Sequence, residues 1–199
     1  MGVSIQQLFA GFLASSESDV LGTDYNECTL VCRFAAYIRR LLPDYHVECG
    51  RNIEYFGLNK KNYYKRDIDI VIYKRDSEGK ISDQYAVEIK CPTASGKETT
   101  QKMADMLLDI AFIRQLLDTG GFDGANCITM TNVNKFNMFN TTNGRKISSQ
   151  YKVLYDIFRE GKSAGNFTIM KGKMIIDICL PVQVTWTPVT STDYHYYII

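Results

Sequence analysis

The sequence has no CxxC pair and only two histidines, His46 and His195. That excludes the usual ligand sets of a structural zinc site. It has no apolar run near the ~18–20 residues that a membrane-spanning helix requires. Met1 to Ser16 carries no positive charge, and Gln6 and Gln7 interrupt its apolar pattern, so it reads as an amphipathic helix rather than a signal peptide. Neither sign of charge is in excess, since 23 Lys and Arg face 22 Asp and Glu for a net charge of +1. Bulk attraction therefore does not announce a nucleic-acid binder, although a local basic surface is all that such a protein needs. There is no internal repeat, low-complexity tract or obvious linker. Without zinc spacing, the cysteines Cys28, Cys32, Cys49, Cys91, Cys127 and Cys179 read as free, buried thiols of a reducing, cytoplasmic protein.

What is present suits one α/β domain over residues 1–199 with a single sizeable core: 45% of residues are hydrophobic and 23% charged. Apolar spacing predicts a helix over 1–14, with Ile5, Leu8, Phe9 and Phe12 on one stripe. A second helix is predicted over about 26–42, burying Val31, Phe34, Ile38 and Leu41 and stopped by Pro43. Strands follow over 47–56, with an irregularity at Gly50, over 68–74, and over 84–90, the last stopped by Cys91-Pro92. In the second strand Ile68, Ile70 and Ile72 alternate with Asp67, Asp69 and Val71. A long helix over 99–117 ends in the glycine-rich stretch from Thr119 to Gly124. A strand over 125–131, a helix over 151–159 and strands over 174–180 and 182–186 precede an aromatic tail, 194–199, best read as a strand packed on the core. Polar stretches 15–23 and 132–143 read as loops. This order predicts an α/β fold with a mixed central β-sheet flanked by helices. Its core covers about 24–131, and the C-terminal helix and strands, 151–199, are added to it.

Chemistry concentrates in Asp67-Ile-Asp69-Ile-Val-Ile72 and Val87-Glu88-Ile-Lys90. Strand geometry puts Glu88 and Lys90 on one face and Val87 and Ile89 on the other. The gap from Asp69 to Glu88 accommodates two paired strands and their turn, so the two carboxylates can converge. Convergent carboxylates are hard-oxygen ligands suited to Mg²⁺ or Mn²⁺. An ion held there polarises a phosphate, and Lys90 orients water or stabilises developing charge. A surface ion-pair ladder across the strands is the structural alternative.

Asp69 followed by Glu88-Ile-Lys90 resembles the signature of the PD-(D/E)XK, restriction-endonuclease-like, nuclease superfamily. The resemblance spans roughly residues 24–131. Ile68 stands where the family's proline would be, which leaves Asp67 open as the first acid beside the preferred Asp69. The resemblance implies that Asp69 and Glu88 bind a catalytic Mg²⁺, with Mn²⁺ able to substitute, and that Lys90 assists hydrolysis. Glu27 resembles the further acid that the first core helix often supplies, as a metal ligand and catalytic residue; alternatively, Asp24 and Glu27 form a capping box.

The resemblance implies a metal-dependent endonuclease, with DNA favoured over RNA as substrate, in restriction, defence or repair. An RNA endonuclease and a non-catalytic nucleic-acid-binding module are the alternatives. Lys60, Lys61, Lys65 and Arg66 around Tyr63 and Tyr64 form a candidate phosphate-gripping and base-stacking loop. Gln101, near the start of the helix after Lys90, is a further candidate contact, and Lys97 and Lys102 could track the backbone. His46 reads as a surface residue. The expected partner is nucleic acid and not a membrane, and the aromatic tail leaves room for a homodimer.

Overall fold

The computed structural model describes residues 2–15, 26–92, 99–133, 149–171, 174–178, 181–190 and 192–199. Helices α1 (Ile5–Ala14) and α2 (Glu27–Leu41) lead into strands β1 (His46–Asn52), β2 (Asp67–Arg75) and β3 (Ile81–Lys90). Helix α3 (Thr99–Asp118) crosses to strand β4 (Gly124–Thr131), and α4 (Ser149–Phe158) follows. The chain ends with β5 (Phe167–Lys171), β6 (Met174–Ile178), β7 (Thr187–Pro188) and β8 (His195–Ile198).

The central sheet runs β1-β2-β3-β4-β8-β7, and β5 and β6 form a separate hairpin. Every neighbouring pair is antiparallel except β3 and β4. That pair is joined through α3, as a parallel connection requires a crossover. The fold is thus a mixed α/β arrangement with a mostly antiparallel sheet flanked by helices.

Both faces of the sheet are covered. On one side α1 and α2 pack Phe9, Phe12, Phe34 and Ile38 against Ile70, Ile72, Val87, Ile89 and Ile128. On the other, α3, α4 and the hairpin pack Met103, Leu107, Leu154 and Ile176 against Val71, Ala86 and Cys127. Two-sided burial explains the nearly continuous apolar runs of the central strands. Each fully buried large side chain contributes roughly 1.5–3 kcal/mol relative to exposure. Phe9 and Phe34, both 0% exposed, meet edge to face at 5.1 Å. No helix among the described residues is long and apolar enough to cross a membrane.

Several expectations change for local reasons. The strand expected over 47–56 ends at Asn52, whose side chain accepts from Glu54 N at 2.9 Å and starts a 3₁₀ turn, Ile53–Phe56. Gly57, at φ 76°, closes that turn in the left-handed region. Ile68 packs with Ile53 and Val71 and not with Ile70 and Ile72, which breaks the expected alternation. Strand β5 was not expected, and of 182–186 only Val182 pairs, in an isolated bridge to Ala164. The aromatic tail is the strand β8, paired with β4. None of the five described cysteines forms a disulfide, but Cys28, Cys32 and Cys49 are exposed, so only Cys91 and Cys127 match the expected burial. The helix-facing geometry that buries Phe34 and Ile38 turns Cys28 and Cys32 outward.

A buried carboxylate–lysine cluster as the candidate active site

Strand register assembles the site. Pairing of Ile70 with Val87 brings Asp69 alongside Glu88, and Asp69 Oδ2 accepts the Ile89 N–H at 2.7 Å. Asp67 is exposed at the strand end, where it accepts from Asn52 Nδ2 at 3.1 Å. Of the two aspartates, the structure sets Asp69 beside Glu88.

Glu88 and Lys90 share the α3 face, as their spacing dictates. Glu88 is not at a solvent-facing edge but 0% exposed. The reason is a residue that the sequence reading missed: Asp109, in the middle of α3 and 1% exposed. Lys65 Nζ bridges the two acids, donating to Glu88 Oε2 and, at 2.7 Å, to Asp109 Oδ1. Lys90 Nζ lies 3.6 Å from Asp109 Oδ2 and donates to Glu27 Oε1 at 2.9 Å. Asp109 had a signal in sequence, because an acid flanked by Leu107, Leu108, Ile110 and Ala111 on a helix buried nearly all round needs a partner or a task.

Lys65 was expected to face nucleic acid, but its segment is tied down the other way. Tyr64 N donates to Gln115 Oε1 at 2.9 Å, Tyr63 OH donates to Thr119 Oγ1 at 2.8 Å, and Tyr64 OH accepts from Asp177 N at 3.0 Å. The tyrosines expected to stack on bases thus anchor the segment to α3 and the hairpin. Lys60 pairs with Glu54 at 3.2 Å. Lys61 and Arg66 remain exposed, as does Gln101, which sits 3.5 Å from Asp105. Lys97 lies outside the described residues. His46, exposed at the start of β1, stacks on Tyr73 at 5.0 Å, away from these acids.

Glu27 approaches from α2 and faces Lys90, and its second oxygen accepts from Cys91 N at 3.4 Å. The expected capping box does not form on it. Asn26 is the N-cap, accepting from Thr29 N at 2.9 Å, and Glu27 is the first helical residue. Asp24 lies outside the described residues. Glu27, Lys90, Cys91, Pro92, Lys102, Asp105 and Met106 line a cleft of about 260 Å³ at the Glu27–Lys90 end of the cluster.

Four carboxylates, Asp69, Glu88, Asp109 and Glu27, meet two ammonium groups, Lys65 and Lys90, so the cluster is formally two charges negative. Its electrostatics follow. Burial and then Asp69 push the Glu88 carboxyl well above its usual range, with Lys65 offsetting only part. Burial raises Asp109 against the pull of both lysines. Burial alone would lower Lys65, yet Glu88 and Asp109 hold it above its usual value. Lys90 is likewise depressed by burial but raised on balance by Asp109 and Glu27. Cys91 is pushed up to about 12 by burial and then Glu27, which keeps it a neutral thiol and not a nucleophile.

Among the described residues, no three acidic, histidine or cysteine side chains are placed to hold a metal ion together. Mg²⁺ needs fewer, since it keeps several waters and is commonly held by one or two carboxylates. The donor chemistry fits such an ion. Glu88 Oε1 is buried without a hydrogen-bond partner, Asp109 Oδ2 has only the 3.6 Å ion pair with Lys90, and the cluster carries a formal negative charge. No family model, known protein or solved structure matches the chain.

Proposed function

We propose that the protein is a metal-dependent endonuclease of the PD-(D/E)XK, restriction-endonuclease-like type, hydrolysing phosphodiester bonds in nucleic acid, with DNA favoured. The observation that carries this reading is the gathering of Asp69, Glu88 and Lys90, from adjacent strands, around two buried carboxylates, Glu88 and Asp109, in a cluster with more carboxylates than counter-charges. Burying surplus charge costs stability that an apolar core would not, and such clusters concentrate where chemistry is done. The sheet order, with its acid-bearing antiparallel hairpin followed by a helical crossover, supports the same reading.

Asp69 and Glu88 would hold Mg²⁺ or Mn²⁺. Asp69 has one oxygen engaged by Ile89 N–H and the other available, and Glu88 presents its unpartnered Oε1. The bound ion supplies Lewis acidity toward a phosphoryl oxygen. Lys90, kept charged by Asp109 and Glu27, places a positive charge at the cleft rather than accepting a proton. That assigns it to stabilising charge that develops on the phosphate as water adds to phosphorus and the ester P–O bond breaks. Lys61 and Arg66, exposed in the segment that carries Lys65, would contact the phosphate backbone.

The deciding experiment incubates purified protein with supercoiled DNA, linear DNA and RNA, in EDTA and in Mn²⁺. Cleavage of DNA in Mn²⁺ alone is expected. Cleavage of RNA alone would change the substrate, and cleavage at full rate in EDTA would refute the metal mechanism. Binding without cleavage by an intact Asp69, Glu88 and Lys90 set would favour a non-catalytic module.

A further inference from the structure

The cluster already contains a cation in a metal-like position. Lys65 Nζ contacts one oxygen of Glu88 and one of Asp109, side chains 0% and 2% exposed. The other oxygen of Glu88 has no hydrogen-bond partner, and that of Asp109 faces Lys90 at 3.6 Å. Lys65 itself comes from an irregular stretch between a 3₁₀ turn, Lys60–Asn62, and β2. Its backbone is set by its neighbours, and its side chain, 22% exposed, runs inward to the two acids. An ammonium shared between two buried carboxylates competes electrostatically with a hard divalent cation for them, even where the cation takes their other oxygens.

We propose that Lys65 is a displaceable internal counter-ion: it and a divalent cation compete for Glu88 and Asp109, the two carboxylates that the ammonium now holds. The inference rests on reading the cluster as a metal site. It also reconciles the inward Lys65 with its place in a basic segment. Once displaced, the ammonium moves outward toward the exposed Arg66, where a substrate phosphate would meet it. Ion loading and grip on substrate are then coupled, each favouring the other.

The test is titration of Mn²⁺ into the full chain by calorimetry, comparing wild type with Lys65→Met, which keeps the length of the side chain and removes its charge, and with Asp109→Asn. Lys65→Met should bind Mn²⁺ about tenfold tighter or more, the equivalent of about 1.4 kcal/mol, and Asp109→Asn should bind more weakly. Binding by Lys65→Met that is equal to or weaker than wild type overturns the competition while leaving the metal reading intact. Absence of Mn²⁺ binding in both proteins, at millimolar ion, overturns the metal reading and the competition together. Should Lys65→Met not fold, amine acylation of wild-type protein read by mass spectrometry decides. Lys65 should react faster in Mg²⁺ than in EDTA, and an unchanged rate relative to Lys61 overturns the displacement.

Discussion

Asp69→Asn and Asp69→Ala separate the two tasks of Asp69. Its Oδ2 accepts the Ile89 N–H at 2.7 Å, tying β2 to β3 next to Glu88. Its charge presses on Glu88 and helps raise that carboxyl. Alanine removes both, and leaves the amide of Ile89, itself 0% exposed, without its acceptor. An orphaned buried donor costs about 1–3 kcal/mol. For a chain of this size each kcal/mol shifts the melting temperature by about 2–4 °C. Asparagine removes the charge but keeps an acceptor oxygen for the amide. Relief of like-charge repulsion is common to both variants, so the difference between them isolates the bond. In EDTA, Asp69→Asn should melt at or above the wild type, and Asp69→Ala about 2–12 °C below Asp69→Asn. Both should lose cleavage and the stabilisation conferred by Mn²⁺. Thermal unfolding in EDTA and in Mn²⁺, beside a plasmid-nicking assay, measures all of this. Equal melting temperatures for the two variants in EDTA would refute the structural role of Asp69, and full cleavage by Asp69→Asn would refute its role as a ligand.

Lys90→Ala should lower cleavage by about 10²–10³, the usual effect of deleting one charge-stabilising group, while Mn²⁺ affinity stays within a few-fold; a comparable loss of Mn²⁺ affinity, read by calorimetry, would argue against the division of labour. Glu88 and Asp109 have folded pKa values raised above the unfolded ~4, so between those values the folded state binds the extra protons and metal-free stability falls as pH rises from about 4. Urea denaturation in EDTA should therefore show Glu88→Gln gaining on the wild type as pH increases, and a gap that is constant over pH 4–8 would contradict this. Replacing both Lys61 and Arg66 by Gln should reduce the salt slope of DNA binding by up to about 1.8, at roughly 0.9 per phosphate contact; an unchanged slope would make them merely solvated residues.

The central hairpin was legible because β2 and β3 are buried on both faces, which leaves runs of Ile, Val and Ala that few other arrangements explain. Helices α1 and α2 were legible from their apolar stripes, and the end of α2 from Pro43, whereas the caps Ser4 and Asn26 were not read. The end of β1 was not, because an Asn52 side chain accepting from the backbone two residues on competes with the ladder, and strand propensity does not register that contest. Strand β5 escaped notice because it forms only against β6, and the hairpin is held by packing on α3 and α4.

Sequence alone determined the pairing of charged and apolar positions on β3, with Glu88 and Lys90 on one side and Val87 and Ile89 on the other, since a strand's period of two permits nothing else. It also determined that Asp69 can reach Glu88, because two strands and a turn fit between them. Only the tertiary structure decided what meets them. Asp109 stands near Glu88 because α3 crosses the sheet on that face, and Lys65 turns inward because Tyr63 and Tyr64 are tied to α3 and β6. Those partners are far apart in the chain, and no local pattern encodes a contact whose geometry is set by how a helix packs on a sheet.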